Sequence, residues 1–395
     1  MKKLTINNKS IFYSGLCYFV IMLAFIALRL MYGAGLFGAV TESTSDYIFT
    51  FVVQVLVLVG LPLLFMHFCA KQSYKTILKR SSFRAINGKM VFWSILLGFC
   101  TFALILFVSS FWSGILSMFG YSTSGISVSS SSGSGVLDLI LGIIFVGVLP
   151  GFCEEFSHRG MVLGNIKSDG VGRAILLSSL MFALLHLNVT QFGYAFVVGL
   201  VLGTVTLLTK SVVPGMIVHC VSNSINTYLD VAGAHGWWGG DFYAGINSFL
   251  NNSNMMLVFL ISMLVLCLIV VLIFYVMFVL FRHSKTNEFF AFKRALQKRL
   301  KGTDVSEHID LNNNEQVFKL YQETQITRLQ KQMLNSNLTL KQLEQNMDKA
   351  TVMSIMFDED ISKKHHIAHL DYIFYYCSIF LGAVVTFMTF LWGIL

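Results

Sequence analysis

The stretch VLDLILGIIFVGVLPGFCEEFSHRG, residues 136–160, joins an apolar run of membrane-spanning character to two adjacent carboxylates. Glu154 and Glu155 stand side by side near its end, and Arg159 follows four residues after Glu155. A carboxylate inside a hydrocarbon layer is costly unless it is paired or functional. The pair therefore marks a candidate functional site inside a membrane-spanning helix.

The composition of the whole chain agrees with this interpretation. Hydrophobic residues make up 55% of the 395 residues and charged residues only 12%, whereas about a quarter of an average soluble domain is charged. Apolar runs near the roughly 20 residues that cross a bilayer recur along the chain. They predict an all-α, polytopic transmembrane helical bundle of eight or nine spans. The runs lie near 11–32, 47–69, 90–119, 136–158, 174–188, 192–209, 212–228, 255–281 and 371–394.

The distribution of basic residues predicts the orientation of these spans. Lys and Arg are absent from 33–46, 120–135, 189–191 and 229–254, whereas they are concentrated in 71–89. By the positive-inside rule the first four segments are external and 71–89 is cytoplasmic. Lys2 and Lys3 then place the N-terminus in the cytoplasm. The net charge of +8 is a signature of topology with some attraction to anionic lipid, so we expect the lipid bilayer and no nucleic acid as a partner.

These patterns predict five regions. The predicted regions are an N-terminal transmembrane region with three spans (1–135), a core that contains the carboxylate pair (136–230), an external loop with the eighth span (231–282), a cytoplasmic amphipathic helical insert (283–370) and a C-terminal span (371–395). The Ser- and Gly-rich segment 122–135 is expected to be a flexible external loop. In the loop 229–254, Trp237 and Trp238 are expected at the level of the lipid headgroups. The insert is either a spacer along the basic membrane face or a docking module for a membrane-protein partner or substrate.

Three polar motifs in separate spans are predicted to lie at similar depth. On a helix, Glu155 and Arg159 share a face as an ion pair, while Glu154 points about 100° away. His186 ends the run SSLMFALLH, and His219 and Asn223 are one turn apart in GMIVHCVSNSIN. At 1.5 Å per residue, Glu154 and His186 lie about 20 Å, and His219 about 14 Å, from the nearest cytoplasmic charge.

The motifs resemble those of the CAAX protease and bacteriocin-processing family of intramembrane endopeptidases, also called the abortive-infection family. Its patterns EExxxR, FxxxH and HxxxN occur in order, beginning at Glu154, Phe182 and His219. The resemblance covers about residues 136–230. It implies an intramembrane protease whose site includes the first Glu, the His of the second motif and the pair of the third. For a bacterial member the resemblance implies cleavage of a peptide pheromone, a bacteriocin leader or a membrane-protein segment, or immunity to a bacteriocin, and the sequence does not choose among them.

Peptide hydrolysis needs a base for water, polarisation of the carbonyl group and a proton for the leaving amine. We expect Glu154 to be the base, His186 to orient the water, and His219 with Asn223 to face the developing oxyanion. Glu155, Arg159 and Phe182 are expected to hold the site in place without touching the reacting atoms, and His158 to be an interfacial histidine.

The need for a metal stays open. Glu154, His186 and His219 would satisfy a zinc site by ligand type, with Cys153 or Cys220 as further ligands. No HExxH motif occurs in the sequence, so the commonest metalloprotease geometry is absent. We favour a mechanism without metal or other cofactor.

Two other functions compete with hydrolysis. The second hypothesis is a catalytically silent scaffold that regulates a partner membrane enzyme or gives bacteriocin immunity, but such a scaffold has no need of an unpaired Glu154. A transporter with a Glu and His proton relay is the third hypothesis, and no inverted repeat supports it. A peptide or membrane-protein substrate of a bacterial cell membrane enzyme is expected, presented from the cytoplasm or the inner leaflet.

Overall fold

A computed structural model of the protein describes residues 9–35, 42–121, 134–167, 170–250, 256–300 and 369–394. Within these ranges the regular structure is entirely helical, with no β-strand. Most of the predicted loop 122–135 and the part of the insert from 301 to 368 lie outside the described residues. The amphipathic helical character of the insert therefore stays a prediction beyond the helix that runs to Leu300.

Eleven helices are numbered here in chain order over the described residues, counting continuous helical stretches once. They are α1 (Lys9–Gly33), α2 (Glu42–Phe51, Val52–Gly60 and Leu61–Phe68 in succession), α3 (Tyr74–Arg80), α4 (Gly88–Met118), α5 (Gly135–Ile166), α6 (Val171–Leu185), α7 (Val189–Thr209), α8 (Val213–His235), α9 (Gly240–Leu250), α10 (Met256–Leu300) and α11 (Ile373–Ile394), the last preceded by a 3-10 turn at His369–Tyr372.

The protein is a multi-pass membrane protein. Seven helices among the described residues are long and apolar enough to cross a bilayer: α1, α2, α4, α5, α7, α10 and α11. Their outward side chains are apolar and exposed, as in Leu264 and Phe380, which is what a lipid-facing surface requires. The all-α polytopic bundle is thus confirmed, although seven long spans are fewer than the eight or nine expected. The difference lies in α6, which is only 15 residues long, and α8, which is long but polar.

The chain divides into two compact units. One consists of residues 1–277 and 367–395 and contains the whole motif region. The other consists of residues 278–366 and includes the second part of α10. The C-terminal span is therefore part of the same unit as the first nine helices, although more than 80 residues separate it from them in sequence.

A row of glycines allows α5 to pack closely against α8. A Cβ added at Gly142, Gly147 or Gly151 would lie 2.5, 2.5 or 2.3 Å from a side-chain atom of Thr227, Ser224 or Cys220, respectively, distances that real contacts do not reach. Small residues at helix interfaces allow close backbone approach in membranes, where packing replaces the hydrophobic driving force. This row brings the first motif beside the third.

Three π-helical segments, with hydrogen bonds to the fifth residue back, surround the motif region. They are Val52–Gly60 in α2, and Ile143–Val148 and Phe156–Leu163 in α5. The two segments in α5 flank the carboxylate pair, which lies in the intervening α-helical turns Leu149–Glu155. Segments of this kind are rare and occur often at functional sites. Each changes the direction in which the following side chains point.

The predicted external loop 229–254 is largely helical, which corrects the sequence interpretation. Helix α8 continues to His235, and α9 covers Gly240–Leu250. The short connection between them is closed by Gly236 and Gly239, whose φ values of 65° and 94° suit glycine. Trp238 and Phe242 are 88% and 71% exposed, consistent with the expected aromatic contacts at the headgroup level.

Candidate functional site

The three motifs line one cavity. Its volume is about 590 Å³, and Glu154 from α5, His186 from the end of α6, and His219 and Asn223 from α8 all lie on its wall. Phe182 and Pro150 line it as well. The four residues expected to take part in chemistry are therefore brought together from three helices, whereas Glu155 and Arg159 do not line the cavity. These positions fix the geometry of the site but not the role of each residue.

Glu154 is the partly accessible member of the carboxylate pair, with 14% of its side chain exposed. Its Oε1 accepts a hydrogen bond of 2.7 Å from Nε2 of Gln54, which lies in a π-helical segment of α2. Glu154 therefore has a hydrogen-bond partner that the sequence interpretation did not include. A neutral amide satisfies one carboxylate oxygen without forming an ion pair with Glu154.

Gln54 is the site residue that the sequence interpretation missed. It is 7% exposed, it lines the cavity, and its Oε1 has no hydrogen-bond partner among the described residues. The available signal was a lone amide within the apolar run VVQVLVLVG. Polar side chains in membrane helices face the bundle interior or a water-filled cavity, so a lone Gln in this run indicates a position on the inner wall of the bundle.

Glu155 is fully buried and has two partners on one oxygen. Its Oε1 accepts a 2.8 Å bond from Arg159 and lies 3.1 Å from Nδ1 of His219. Arg159, also buried, donates to the carbonyl oxygen of Gly199 at 3.2 Å. The predicted ion pair is present, and it is extended to the histidine of the third motif. Since a carboxylate only accepts hydrogen bonds, His219 donates from Nδ1 and its Nε2 is left for other contacts.

Phe182 stands at the centre of the charged and aromatic groups. The guanidinium carbon of Arg159 lies 4.4 Å from the centre of its ring. The rings of His158, His186 and His219 approach it edge to face, at centroid distances of 5.1, 5.0 and 5.8 Å. One aromatic side chain thus fixes the orientation of three histidines and of the buried cation.

The two cavity histidines each use Nδ1 within the protein. His186 donates from Nδ1 to the carbonyl oxygen of Phe182 at 2.9 Å, which leaves Nε2 as the remaining ring nitrogen. In His219, Nε2 lies 4.0 Å from Oε2 of Glu154. That separation is too long for a direct hydrogen bond. It places a ring nitrogen and the second carboxylate oxygen of Glu154 close to each other at the cavity wall.

Asn223 lines the cavity as expected, but one of its amide protons is already used in a hydrogen bond. Its Nδ2 donates to the carbonyl oxygen of Val146 at 3.0 Å. Val146 lies in a π-helical segment of α5. An amide nitrogen carries two protons, so this contact leaves one donor of Asn223 for a ligand in the cavity.

His158 is not an interfacial histidine, which corrects the expectation. It is fully buried, donates from Nδ1 to the carbonyl oxygen of Glu154 at 2.9 Å, and contacts the hydroxyl of Tyr18 through Nε2 at 2.8 Å. Tyr18 comes from α1 and also donates to the carbonyl oxygen of Met181. The backbone of the first motif is therefore held to the N-terminal span and to α6.

The arrangement of the described side chains gives little support to a metal centre. Among the described ranges, no group of three or more His, Cys, Asp or Glu side chains is arranged to hold a metal ion. The residues named for a zinc site, Glu154, His186 and His219, share the cavity wall but do not form such a group. We therefore derive no chemical step through a metal.

A family model described as type II CAAX prenyl endopeptidase Rce1-like matches residues 136–225. This part of the chain is similar to that family and is called the Rce1-like segment below. The Rce1-like segment begins in α5 and ends at Ile225 in α8, so it contains all three motifs and the α5–α8 glycine contact. Gln54 and Tyr18 lie outside it. Comparison with curated proteins and with solved structures gives no match.

Proposed function

We propose that the protein is an intramembrane endopeptidase that hydrolyses a peptide bond in a membrane-associated or leader peptide substrate. The observation that carries the proposal is the common cavity of Glu154, His186, His219 and Asn223. The description of the matching family as an endopeptidase supports it. The cavity supplies a carboxylate, two imidazoles and an amide within a site withdrawn from lipid, which is the set of groups that amide hydrolysis needs.

Glu154 is the general base of the proposed mechanism. Gln54 holds Oε1 in place, so Oε2 is the oxygen that takes a proton from the attacking water. The same carboxyl group can then return this proton to the leaving amine. The amide of Gln54 positions the carboxylate without placing a cation beside it, whereas an Arg or Lys partner would make the carboxylate a weaker base. Gln54 acts as a positioning residue for Glu154.

The imidazoles and Asn223 serve the water and the carbonyl oxygen. His186 orients the attacking water through Nε2, because its Nδ1 is committed to Phe182. His219 and the second amide proton of Asn223 face the developing oxyanion. His219 donates from Nδ1 to Glu155, so the buried Glu155 and Arg159 pair serves the site by orienting the His219 ring in the cavity.

The proposed mechanism uses no metal or other cofactor. The residues described do not form a three-ligand group, and the groups already named can perform each step. Hydrolysis is expected to persist when the purified protein is treated with a zinc chelator. Loss of activity that returns on addition of zinc, but not of magnesium, would contradict this.

The experiment compares the wild-type chain with Glu154→Gln in a deletion strain, at matched expression and with membrane peptidomes recorded. The substitution keeps the shape and removes the base, so specific peptides are expected to accumulate uncut while expression is unchanged. Asp138→Asn is the matched control, since Asp138 is a carboxylate of the same helix that does not line the cavity. Full complementation by Glu154→Gln would overturn the proposal in favour of a scaffold that regulates a partner enzyme or gives bacteriocin immunity.

A further inference from the structure

The cavity extends from the motif residues in one direction only. On α5 its lining residues all precede or include Glu154, and on α8 they begin at His219 and continue to Asn226. On α4 the lining is confined to the second half of the helix, from Ile105 to Ser113. At 1.5 Å per residue, Ile105 is already about 25 Å along α4 from Gly88. The motif residues form the floor of the cavity.

The opposite end of the cavity is bordered by α9. Tyr243, Asn247 and Leu250 of this helix line it. The helix is tied across the rim by a 3.0 Å bond from the hydroxyl of Ser110 to the carbonyl oxygen of Leu250 and by a 3.4 Å bond from the Tyr243 hydroxyl to Asn226. The cavity therefore runs from the centre of the bundle toward the end at which α9 lies.

Charge identifies the two ends of the bundle. The helix ends near the floor carry basic residues at 71, 75, 84, 89, 167, 173 and 210. The ends near α9 carry no Lys or Arg within the described residues 33–35, 42–46, 134–138 and 229–250, and instead hold Asp46, Asp138, Asp230 and Asp241. By the positive-inside rule the α9 end is external. The cavity thus leads outward, contrary to the expectation of a site reached from the cytoplasm.

The wall between the floor and α9 is uncharged and combines polar with apolar side chains. Its hydroxyl and amide members are Thr50, Ser109, Ser110, Ser113, Gln191, Tyr194, Asn226, Tyr243 and Asn247, and its apolar members are Ile105, Leu106, Phe145, Val146, Ala195, Val198 and Leu250. Apart from Glu154, no Asp, Glu, Lys or Arg lies on the described lining. A charged side chain would find no counter-ion on this wall, whereas an uncharged extended polypeptide can contact its polar groups through the backbone and its apolar groups through side chains.

We propose that the site is reached from the external face and admits an extended, uncharged peptide segment of a secreted or membrane-anchored protein. The cavity volume of about 590 Å³ lies in the range of sites that bury a ligand with as many atoms as several amino-acid residues. Cleavage of the segment rests on the proposed hydrolase function, whereas the direction of access to the cavity is independent of that function.

Cysteine labelling tests the direction of access. Thr50→Cys and Ser109→Cys place a thiol on the cavity wall, and Ser113→Cys is a third variant in case one of these fails to fold. Lys75→Cys is the matched control, because Lys75 is exposed in α3 at the basic end. A membrane-impermeant maleimide is applied to intact cells and to inside-out vesicles, and modified residues are located by mass spectrometry. The parent chain gives the background from its seven native cysteines.

The wall cysteines are expected to react in intact cells, and Cys at position 75 only in inside-out vesicles. Reaction of the wall cysteines only in inside-out vesicles would overturn the inference. Labelling does not require hydrolysis, so repeating it in the Glu154→Gln background separates the two proposals. External labelling without any processed peptide supports the direction of access and overturns the hydrolase function. Cut sites that map to the external side of substrates support both.

Discussion

At the scale of single residues, the site is organised around Glu154 and Glu155, which are adjacent in sequence but have different surroundings. Glu154 reaches the cavity and is held by the amide of Gln54, whereas Glu155 is fully buried between Arg159 and His219. The first carboxylate thus has a neutral hydrogen-bond partner, and the second is paired with a buried cation. The two carboxylates therefore differ in the hydrogen-bond partners that surround them, although they are adjacent in sequence.

Removal of the amide of Gln54 is expected to slow hydrolysis without weakening substrate binding. Gln54→Met keeps the size and loses the bond to Glu154, and a hydrogen bond to a charged group is worth about 1.5–3 kcal/mol. We therefore expect kcat to fall by about 10- to 100-fold, with KM little changed and the pH profile of kcat displaced. Steady-state kinetics on a peptide identified from the Glu154→Gln peptidome measure this. A rise in KM alone, or unchanged kinetics, would exclude a positioning role for Gln54.

Removal of Arg159 is expected to lower the amount of folded protein. Arg159→Met leaves the charge of Glu155 buried without its main partner, at a cost of about 3–5 kcal/mol. The double variant Glu155→Leu with Arg159→Met removes both charges and should recover most of the folded protein, but not hydrolysis, because His219 then lacks its acceptor. Size-exclusion chromatography in detergent gives the folded fraction. A double variant as unstable as the single one would show that the pair is not the cause.

At the scale of helices, the site depends on how closely α5 and α8 approach each other. The glycines at 142, 147 and 151 remove the side chains that would separate them. The π-helical segments on either side of the carboxylate pair set the direction of the motif residues. The distance between Glu154 and His219 is therefore a property of the helix pair.

A methyl group at Gly151 is expected to separate this helix pair. Its Cβ would lie 2.3 Å from Sγ of Cys220 and 3.0 Å from the backbone nitrogen of the same residue. Overpacking of this kind costs about 1–3 kcal/mol, so Gly151→Ala should lower thermal stability and hydrolysis together. Gly114→Ala is the matched control, since nothing lies within 4 Å of a Cβ at that position in α4. Equal effects of the two substitutions would argue against a close α5–α8 contact.

At the scale of the whole molecule, residues far outside the Rce1-like segment complete the fold. The hydroxyl of Tyr375 in α11 lies 2.6 Å from that of Ser14 in α1, and its ring packs on Gly15. Tyr18 of α1 in turn contacts His158 of the first motif. The first and last spans thus form one packed layer behind the site.

Truncation of Tyr375 is expected to destabilise the bundle although it lies about 20 residues from the end of the chain. Tyr375→Ala removes a fully buried aromatic ring, which costs about 3 kcal/mol. Tyr275→Ala is the control, because Tyr275 is 64% exposed on α10. Thermal unfolding in detergent should show a clear drop in Tm for the first variant alone. Similar unfolding temperatures for both variants would mean that α11 does not stabilise the core.

The sequence by itself determined the membrane class, the long apolar spans and the motif residues, because apolar run length, charge distribution and i, i+4 spacing are local properties. It predicted that Glu154, His186, His219 and Asn223 lie at similar depth, and the Glu155 and Arg159 pair follows from one helical turn. Only the tertiary structure decided that Gln54 holds Glu154, that Glu155 reaches His219 and that the cavity leads toward α9. These depend on how helices rotate and approach one another, which glycine contacts and π-helical segments set, and which composition and periodicity do not encode.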